Sequence, residues 1–358
     1  MYNNCMKIIK RTHYLPTLFS ASSAPDIKVI TGVRRSGKSM LLEAFKEELE
    51  KKNKVNIIHI DFNLNKNDSL SGNNKLYSYV ESLYKNGFKN YLLIDEVQDC
   101  KGFEKTLNYL HATFKYQIYV TGSNAFLTTS DLATLFVGRT FPINVYPFSY
   151  KEFCQYYNYR KSKDLFKDYL VEGGMSGSYL YDSLVSKYNY IKTTIDSLIV
   201  RDIVNKYKVE YPTLLDNLID FLFDNVAKIT SIRNITKVFR NINKNLDHKT
   251  VVLYIKYLCN SFLFYRVRRY DIQGKRYLTT NAKYYIADHA MKFARLGTKN
   301  FDYGYTLENI VAIELLRRGY EIYVGVLGKY EIDFIAKKFD EFLFIQVCEN
   351  INQEKVLL

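Results

Sequence analysis

The chain has 358 residues, 47% of them hydrophobic and 25% charged, with a formal net charge of +14, 33 Tyr, 23 Phe and no Trp. That length allows two or three domains, and that composition excludes a disordered or collagen-like polypeptide. Five scattered Cys and five scattered His give neither a disulfide framework nor zinc-ligand spacing, and no apolar run spans a bilayer, so the expectation is a cytoplasmic chain with free thiols and no membrane partner.

Residues 1–26 are a basic approach segment containing Pro16 and Pro25. An apolar run, Ile27 to Thr31, predicts a first strand, and a helical pattern runs from Lys38 to Lys52. Between them lies Gly32-Val33-Arg34-Arg35-Ser36-Gly37-Lys38-Ser39. Strand, glycine-bounded loop and helix in this order make a phosphate-binding P-loop. Glycine at 32 and 37 lets the backbone turn and approach an anion. Successive N–H groups then form a nest at the positive end of the helix dipole. Lys38 would reach the β- and γ-phosphates of ATP, the Ser39 hydroxyl would hold Mg²⁺, and Met40 would open the helix behind the loop.

Val55–Asp61 predicts a second strand and Leu76–Lys85 a helix. Tyr91-Leu92-Leu93-Ile94 then runs into Asp95-Glu96. A continuous apolar run is how a strand buried on both faces reads, and two acids at its end would sit where open α/β sheets bind ligands. Asp95 would hold Mg²⁺ and Glu96 would orient and deprotonate the attacking water, because phosphoryl transfer is mostly positioning and charge neutralisation. Phe103–His111 predicts a helix and Gln117–Thr121 a strand. After that strand, Ser123 or Asn124 would touch the γ-phosphate or its attacking water as a sensor; the two are close to even. Asp131–Phe136 predicts a short helix and Phe141–Tyr146 a last strand. Just before it, Arg139 would reach a neighbouring subunit's nucleotide as an arginine finger of a homo-oligomer, or is a plain surface arginine in a turn. Alternating strands and helices imply an α/β fold with a largely parallel sheet.

GVRRSGKS, YLLIDEVQ, VTGSN and LFVGRT, followed by VYPFSYKEF, resemble the ATPase domain of a prokaryotic AAA-type family whose members carry an uncharacterised C-terminal region. The resemblance covers nearly the whole chain and is most specific in the first 150 residues. It implies four segments: a P-loop ATPase core at 1–148, a helical lid at 149–184, a winged-helix region at 185–292, and a small α/β domain at 293–358.

Charge is uneven along the chain. Residues 1–150 hold 19 Lys/Arg and 13 Asp/Glu, residues 151–292 hold 24 and 14, and residues 293–358 hold 8 and 10. The basic middle points to a polyanionic partner. Within it, residues 228–283 hold 13 Lys/Arg against Asp247 and Asp271. Helices are expected at 231–240 and 250–260, and strands at 262–270 and 275–280. Helix, turn, helix and hairpin make a winged helix. Arg266, Arg268, Arg269, Lys275 and Arg276 on the wing would meet the phosphates of DNA or other nucleic acid. The other reading is a winged helix used for protein contacts, with its charges solvated.

A helix from Thr306 to Arg318, a strand at 320–324 and a hairpin of 331–335 with 342–348 resemble the restriction-endonuclease-like fold. Such nucleases set a helix Glu, a strand Asp and a Glu-x-Lys pair around Mg²⁺. By position Glu308 and Asp333 fit the first two. Gln346 and Cys348 occupy the last pair, two apart on an expected strand and so on one face. Gln removes a charge from a hard-cation site and Cys cannot do the lysine's work, so a degenerate domain is expected rather than an active nuclease. The resulting expectation is Mg²⁺-dependent ATP hydrolysis coupled to nucleic-acid or partner binding. Its rivals are a nucleotide-dependent switch with little turnover and a metal-dependent DNA-cleaving effector.

Overall fold

Five of the apolar runs become one parallel sheet. The computed structural model describes residues 9–70, 73–122, 136, 138–158, 163–240, 246–298 and 302–349, in two units, Met1–Val145 and Tyr146–Leu358. In the first unit β1 (Ile27–Thr31), β2 (Val55–Asp61), β3 (Lys89–Asp95), β4 (Tyr116–Thr121) and β5 (Thr140–Asn144) lie in the order β2-β3-β4-β1-β5, every pair parallel. Position in the sheet explains the sequence pattern. Central β3 and β1 are buried on both faces; Tyr91–Ile94 of β3 reads as a continuous apolar run, and β1 is apolar except for Lys28 and Thr31. Edge strand β2 alternates buried and half-buried residues along its length. One face packs on α1 (Leu15–Ala21) and α2 (Lys38–Glu50) through Leu18, Leu41, Phe45 and Leu49. The other packs on α3 (Asn73–Ser82) and α4 (Phe103–Ala112) through Leu76, Val80, Leu107 and Leu110. Helix α1 falls inside the basic approach segment, where no helix was expected; Pro16 sits in its first turn, where a missing N–H costs nothing. The short helix expected at 131–136 falls, except for Phe136, outside the described residues.

One core residue is a cation. Lys28 on β1 is fully buried; its Nζ donates to Ala24 O at 2.6 Å and Gln117 Oε1 at 2.7 Å. Burial pushes its pKa down from 10.5 to about 8, against the pull of Asp26. Between these two values the unfolded chain binds the proton and the folded chain does not, so Lys28 makes stability rise with pH across that window. In Lys28→Met, urea melts from pH 8 to 10.5 are expected to lack part of the rise that the parent shows. Equal slopes for the two proteins would show that Lys28 titrates normally.

In the second unit, α5 (Tyr150–Tyr156) starts on a capping box, with the Ser149 side chain bonded to Glu152 N and the Glu152 carboxylate to Ser149 N. It packs with α6 (Lys163–Glu172). Next come α7 (Leu184–Ser197), a π-helical stretch at Leu198–Val204, and α8 (Pro212–Asp224). The helix pair α9 (Ile232–Arg240) and α10 (His248–Asn260) precedes the antiparallel hairpin β6 (Phe264–Asp271) and β7 (Arg276–Ile286). This is the helix, helix, hairpin order expected of a winged helix. The hairpin is not free, however. After α11 (Ala290–Leu296) and α12 (Tyr303–Arg317) the chain adds β8 (Glu321–Leu327), β9 (Tyr330–Lys338) and β10 (Glu341–Ile345), and one sheet runs β10-β9-β8-β6-β7. Residues 269–271 of β6 pair in parallel with 324–326 of β8, so the expected wing and the expected end domain share a sheet.

Candidate nucleotide site

The loop after β1 can only be built on glycine where glycine stands. Gly32 has φ +145°, and a Cβ there would lie 2.0 Å from Val145 O. Gly37, at φ +92°, caps α2 in the left-handed region. Arg35 is also left-handed, at φ +62°. The loop therefore turns back on itself between Val33 and Ser36, whose backbone groups bond at 3.1 Å, and leaves an anion-sized cradle at the start of α2. Ser36 is buried, and its Oγ has no hydrogen-bond partner among the described residues. An orphaned hydroxyl inside the cradle fits a bound phosphate oxygen. Lys38 is buried, with its Nζ donating to Gly32 O at 2.9 Å and Val33 O at 3.2 Å, so its ammonium is held over the cradle by the loop itself. Val33 is buried, Arg34 half-buried, and Arg35, Ser39 and Met40 exposed.

The carboxyl ends of β3 and β4 complete the site. Asp95 is buried, and its carboxylate accepts a hydrogen bond from the Thr121 hydroxyl at the end of β4 and lies in hydrogen-bonding reach of the Ser39 side chain. Burial pushes its pKa up, the Thr121 and Ser39 bonds oppose this, and the Glu96 and Asp61 carboxylates add to it. A divalent cation here would oppose that rise by favouring the ionised carboxylate. Ser39 and Asp95 supply the hard oxygen donors that Mg²⁺ prefers. Glu96 follows in the left-handed region, at φ +52° and ψ +52°. Its N–H donates to Thr121 Oγ1 at 3.1 Å, and its carboxylate accepts from the Gln98 amide. Thr121 thus ties the two acids together.

The expected sensors Ser123 and Asn124 lie outside the described residues. Arg139 is exposed at the amino end of β5, where its carbonyl accepts from Ile27 N at 2.9 Å. That is the far end of β1 from the P-loop, roughly 16 Å away along five strand residues, so it cannot serve the nucleotide of its own chain. Two contributors were passed over in the sequence. Thr121 reads simply as the last residue of a strand. Arg11 lies in the approach segment, buried, with Nη1 donating to Ser36 O at 2.9 Å and its guanidinium 4.8 Å from the Tyr14 ring; it braces the loop from behind.

In the second unit Arg266, Arg268, Lys275 and Arg276 are exposed. Arg269 is half-buried, because the β6–β7 register shifts between Arg268 and Arg269 and the strand then pairs with β8. The Arg268 guanidinium lies 5.5 Å from the Tyr277 ring centre, and Arg276 Nε lies 3.4 Å from Asp271 Oδ2. Glu308 on α12 and Asp333 on β9 both lie against Lys283 Nζ, at 2.8 Å and 3.3 Å. Gln346 and Cys348 do not share a strand face, since β10 ends at Ile345; Gln346 instead turns back and its Nε2 donates to Asp333 Oδ2 at 2.7 Å.

Comparison with known proteins agrees with the first unit's architecture. Residues 24–154 match a family described as AAA domain, and residues 163–302 match a domain of unknown function. An uncharacterized protein of Haemophilus influenzae is 37% identical over 351 residues, 96% of this chain and 88% of that protein. One of Methanocaldococcus jannaschii is 28% identical over 344 residues, covering 91% and 75%. Among solved structures, the replication initiator DnaA bound to AMPPCP and single-stranded DNA has 19% identity over 70% of this chain and 89% of that one, at a TM-score of 0.36. Cdc6p of Pyrobaculum aerophilum has 12% identity over 86% and 95%, at 0.34. No helix among the described residues is long and apolar enough to cross a membrane. Residues 24–154 are thus an AAA domain, and the chain belongs to the same family as the uncharacterized Haemophilus influenzae protein.

Proposed function

We propose that the chain hydrolyses ATP with Mg²⁺ and couples turnover to nucleic acid held by the basic face of residues 228–283. One observation carries the reading of the site: Lys38, Ser39, Asp95, Thr121 and Glu96 meet at the carboxyl edge of one parallel sheet. The backbone N–H groups of residues 33–38 cradle the phosphates, and Lys38 moves from Gly32 O and Val33 O to the β- and γ-oxygens. Ser39 and Asp95 hold Mg²⁺, which supplies charge neutralisation on the transferring phosphoryl group. Glu96 orients a water and takes its proton. Ser123 or Asn124 senses the γ-phosphate, and Arg139 serves a neighbouring copy, which makes the working form an oligomer.

The coupling rests on Arg266, Arg268, Lys275 and Arg276, four exposed cations on one hairpin. The test is phosphate release with and without single-stranded DNA, duplex DNA and RNA across a salt series. Stimulation is expected by at least one of them, weakening with salt. Arg266→Ala with Arg268→Ala should lower the slope of log affinity against log salt by roughly 2. Binding that ignores both salt and the double substitution would point to a protein partner instead. A second reading, a nucleotide switch with little turnover, has one observation in its favour: the Glu96 carboxylate is already engaged by Gln98. A basal rate unchanged by Glu96→Gln would decide for it.

A further inference from the structure

The acids at the end of the second unit surround a cation of the chain's own. Lys283 on β7 is 4% exposed. Its Nζ lies 2.8 Å from Glu308 Oε1, 3.0 Å from Glu331 Oε1 and 3.3 Å from Asp333 Oδ1. An ammonium has three N–H donors and no more, and here each has one carboxylate. Two of the acids take further hydrogen bonds. The Tyr285 hydroxyl donates to Glu308 Oε1 at 2.6 Å. Asp333 Oδ2 accepts from Gln346 Nε2 at 2.7 Å and from Val347 N at 2.9 Å.

A nuclease scaffold implies a divalent metal at this place, and the residues do not fit one. Mg²⁺ needs oxygens at about 2.0–2.1 Å in octahedral array; the point between the acids is taken by a nitrogen covalently anchored to β7. Among the described residues no set of three His, Cys, Asp or Glu side chains is placed to hold a metal ion. The charge argument agrees. Burial alone would lower the lysine's pKa, but Glu308 and Glu331 outweigh it and hold the ammonium charged. A lysine kept charged is a poor proton acceptor for an attacking water.

We propose that Lys283 is a tethered cation occupying the place of the divalent metal, so that Glu308, Glu331 and Asp333 form a metal-independent joint between β7, α12 and β9, centred on one ammonium. The pattern of a nuclease centre is kept while its chemistry is closed. The joint holds together three elements far apart in sequence, and it fixes the hairpin that carries the basic face against the strands that follow.

The experiment counts Mn²⁺ ions by electron paramagnetic resonance on the full chain without nucleotide. The parent and Asp333→Asn are expected to bind the same number of ions. Mn²⁺ that the parent holds and Asp333→Asn loses would overturn the proposal. Lys283→Met removes the ammonium that holds the three acids apart; with the acids then able to close on an ion, it is expected to bind one additional equivalent, lost again on adding Asp333→Asn. A folded Lys283→Met that gains no ion also overturns it. Lys283→Arg keeps the charge and should gain no ion. If Lys283→Met folds only with Mn²⁺ present, the metal is doing the lysine's work and the proposal is supported. If it does not fold at all, the parent's comparison with Asp333→Asn decides alone.

Discussion

Lys38→Ala is expected to weaken ATP binding by roughly a hundredfold or more, with turnover lost at any ATP concentration that saturates the parent. The magnitude follows from the geometry. The ammonium is buried at the mouth of the cradle and donates to two carbonyls of the loop. On nucleotide binding it exchanges them for phosphate oxygens, and charge-assisted hydrogen bonds contribute about 1.5–3 kcal/mol each, where 1.4 kcal/mol is tenfold. The carbonyls of Gly32 and Val33 lose a partner in the variant, so a small loss of stability accompanies the loss of binding. The two are separable: a melting curve without nucleotide reports the first and titration of a fluorescent ATP analogue reports the second. Near-parental affinity in a folded Lys38→Ala chain would take the nucleotide away from residues 32–39 altogether.

The parts of this site that were legible in the sequence are those whose chemistry is local. Gly32 to Ser39 are consecutive, and their strand and helix context is written on either side. Asp95 and Glu96 end an apolar run, and β3 is buried on both faces because it is central, as such a run implies. What could not be read is convergence. Thr121 meets Asp95 only because β4 lies beside β3 in the folded sheet. Arg11 meets Ser36 only because α1 and the segment before it fold under the loop. Lys283 is the clearest case. It lies 25 residues before Glu308 and 50 before Asp333. Its strand was expected to stop at residue 280, and Asn281 just beyond takes a left-handed φ of +59°. The strand runs on to Ile286. For the same reason the hairpin read as a free wing, when its pairing with β8 depends on residues more than fifty positions later. Gln346 was placed on a strand face by spacing alone, and the strand ends one residue before it.

Glu96→Gln should separate binding from chemistry. It is expected to leave ATP affinity within a few-fold of the parent and to lower the turnover number by about 10²- to 10⁴-fold, the usual contribution of a positioned general base. The substitution keeps shape and hydrogen-bonding reach while removing the group that takes the proton from water. The backbone around Glu96 makes this a clean test. Its left-handed φ and ψ are stabilised by the N–H bond to Thr121 and by the short turn at Val97–Asp99, neither of which involves the carboxylate. A glutamine can hold the same conformation at the same cost, so folding should be unaffected. The bond from Gln98 to the carboxylate has a counterpart in an amide–amide bond, so local order is kept as well. Binding by a fluorescent ATP analogue and phosphate release measured on one preparation give both numbers. Lower affinity with parental turnover would mean that Glu96 contacts the nucleotide rather than the water. Loss of turnover with affinity intact, set beside loss of affinity in Lys38→Ala, would divide the site into a cradle that holds phosphate and an acid pair that breaks it.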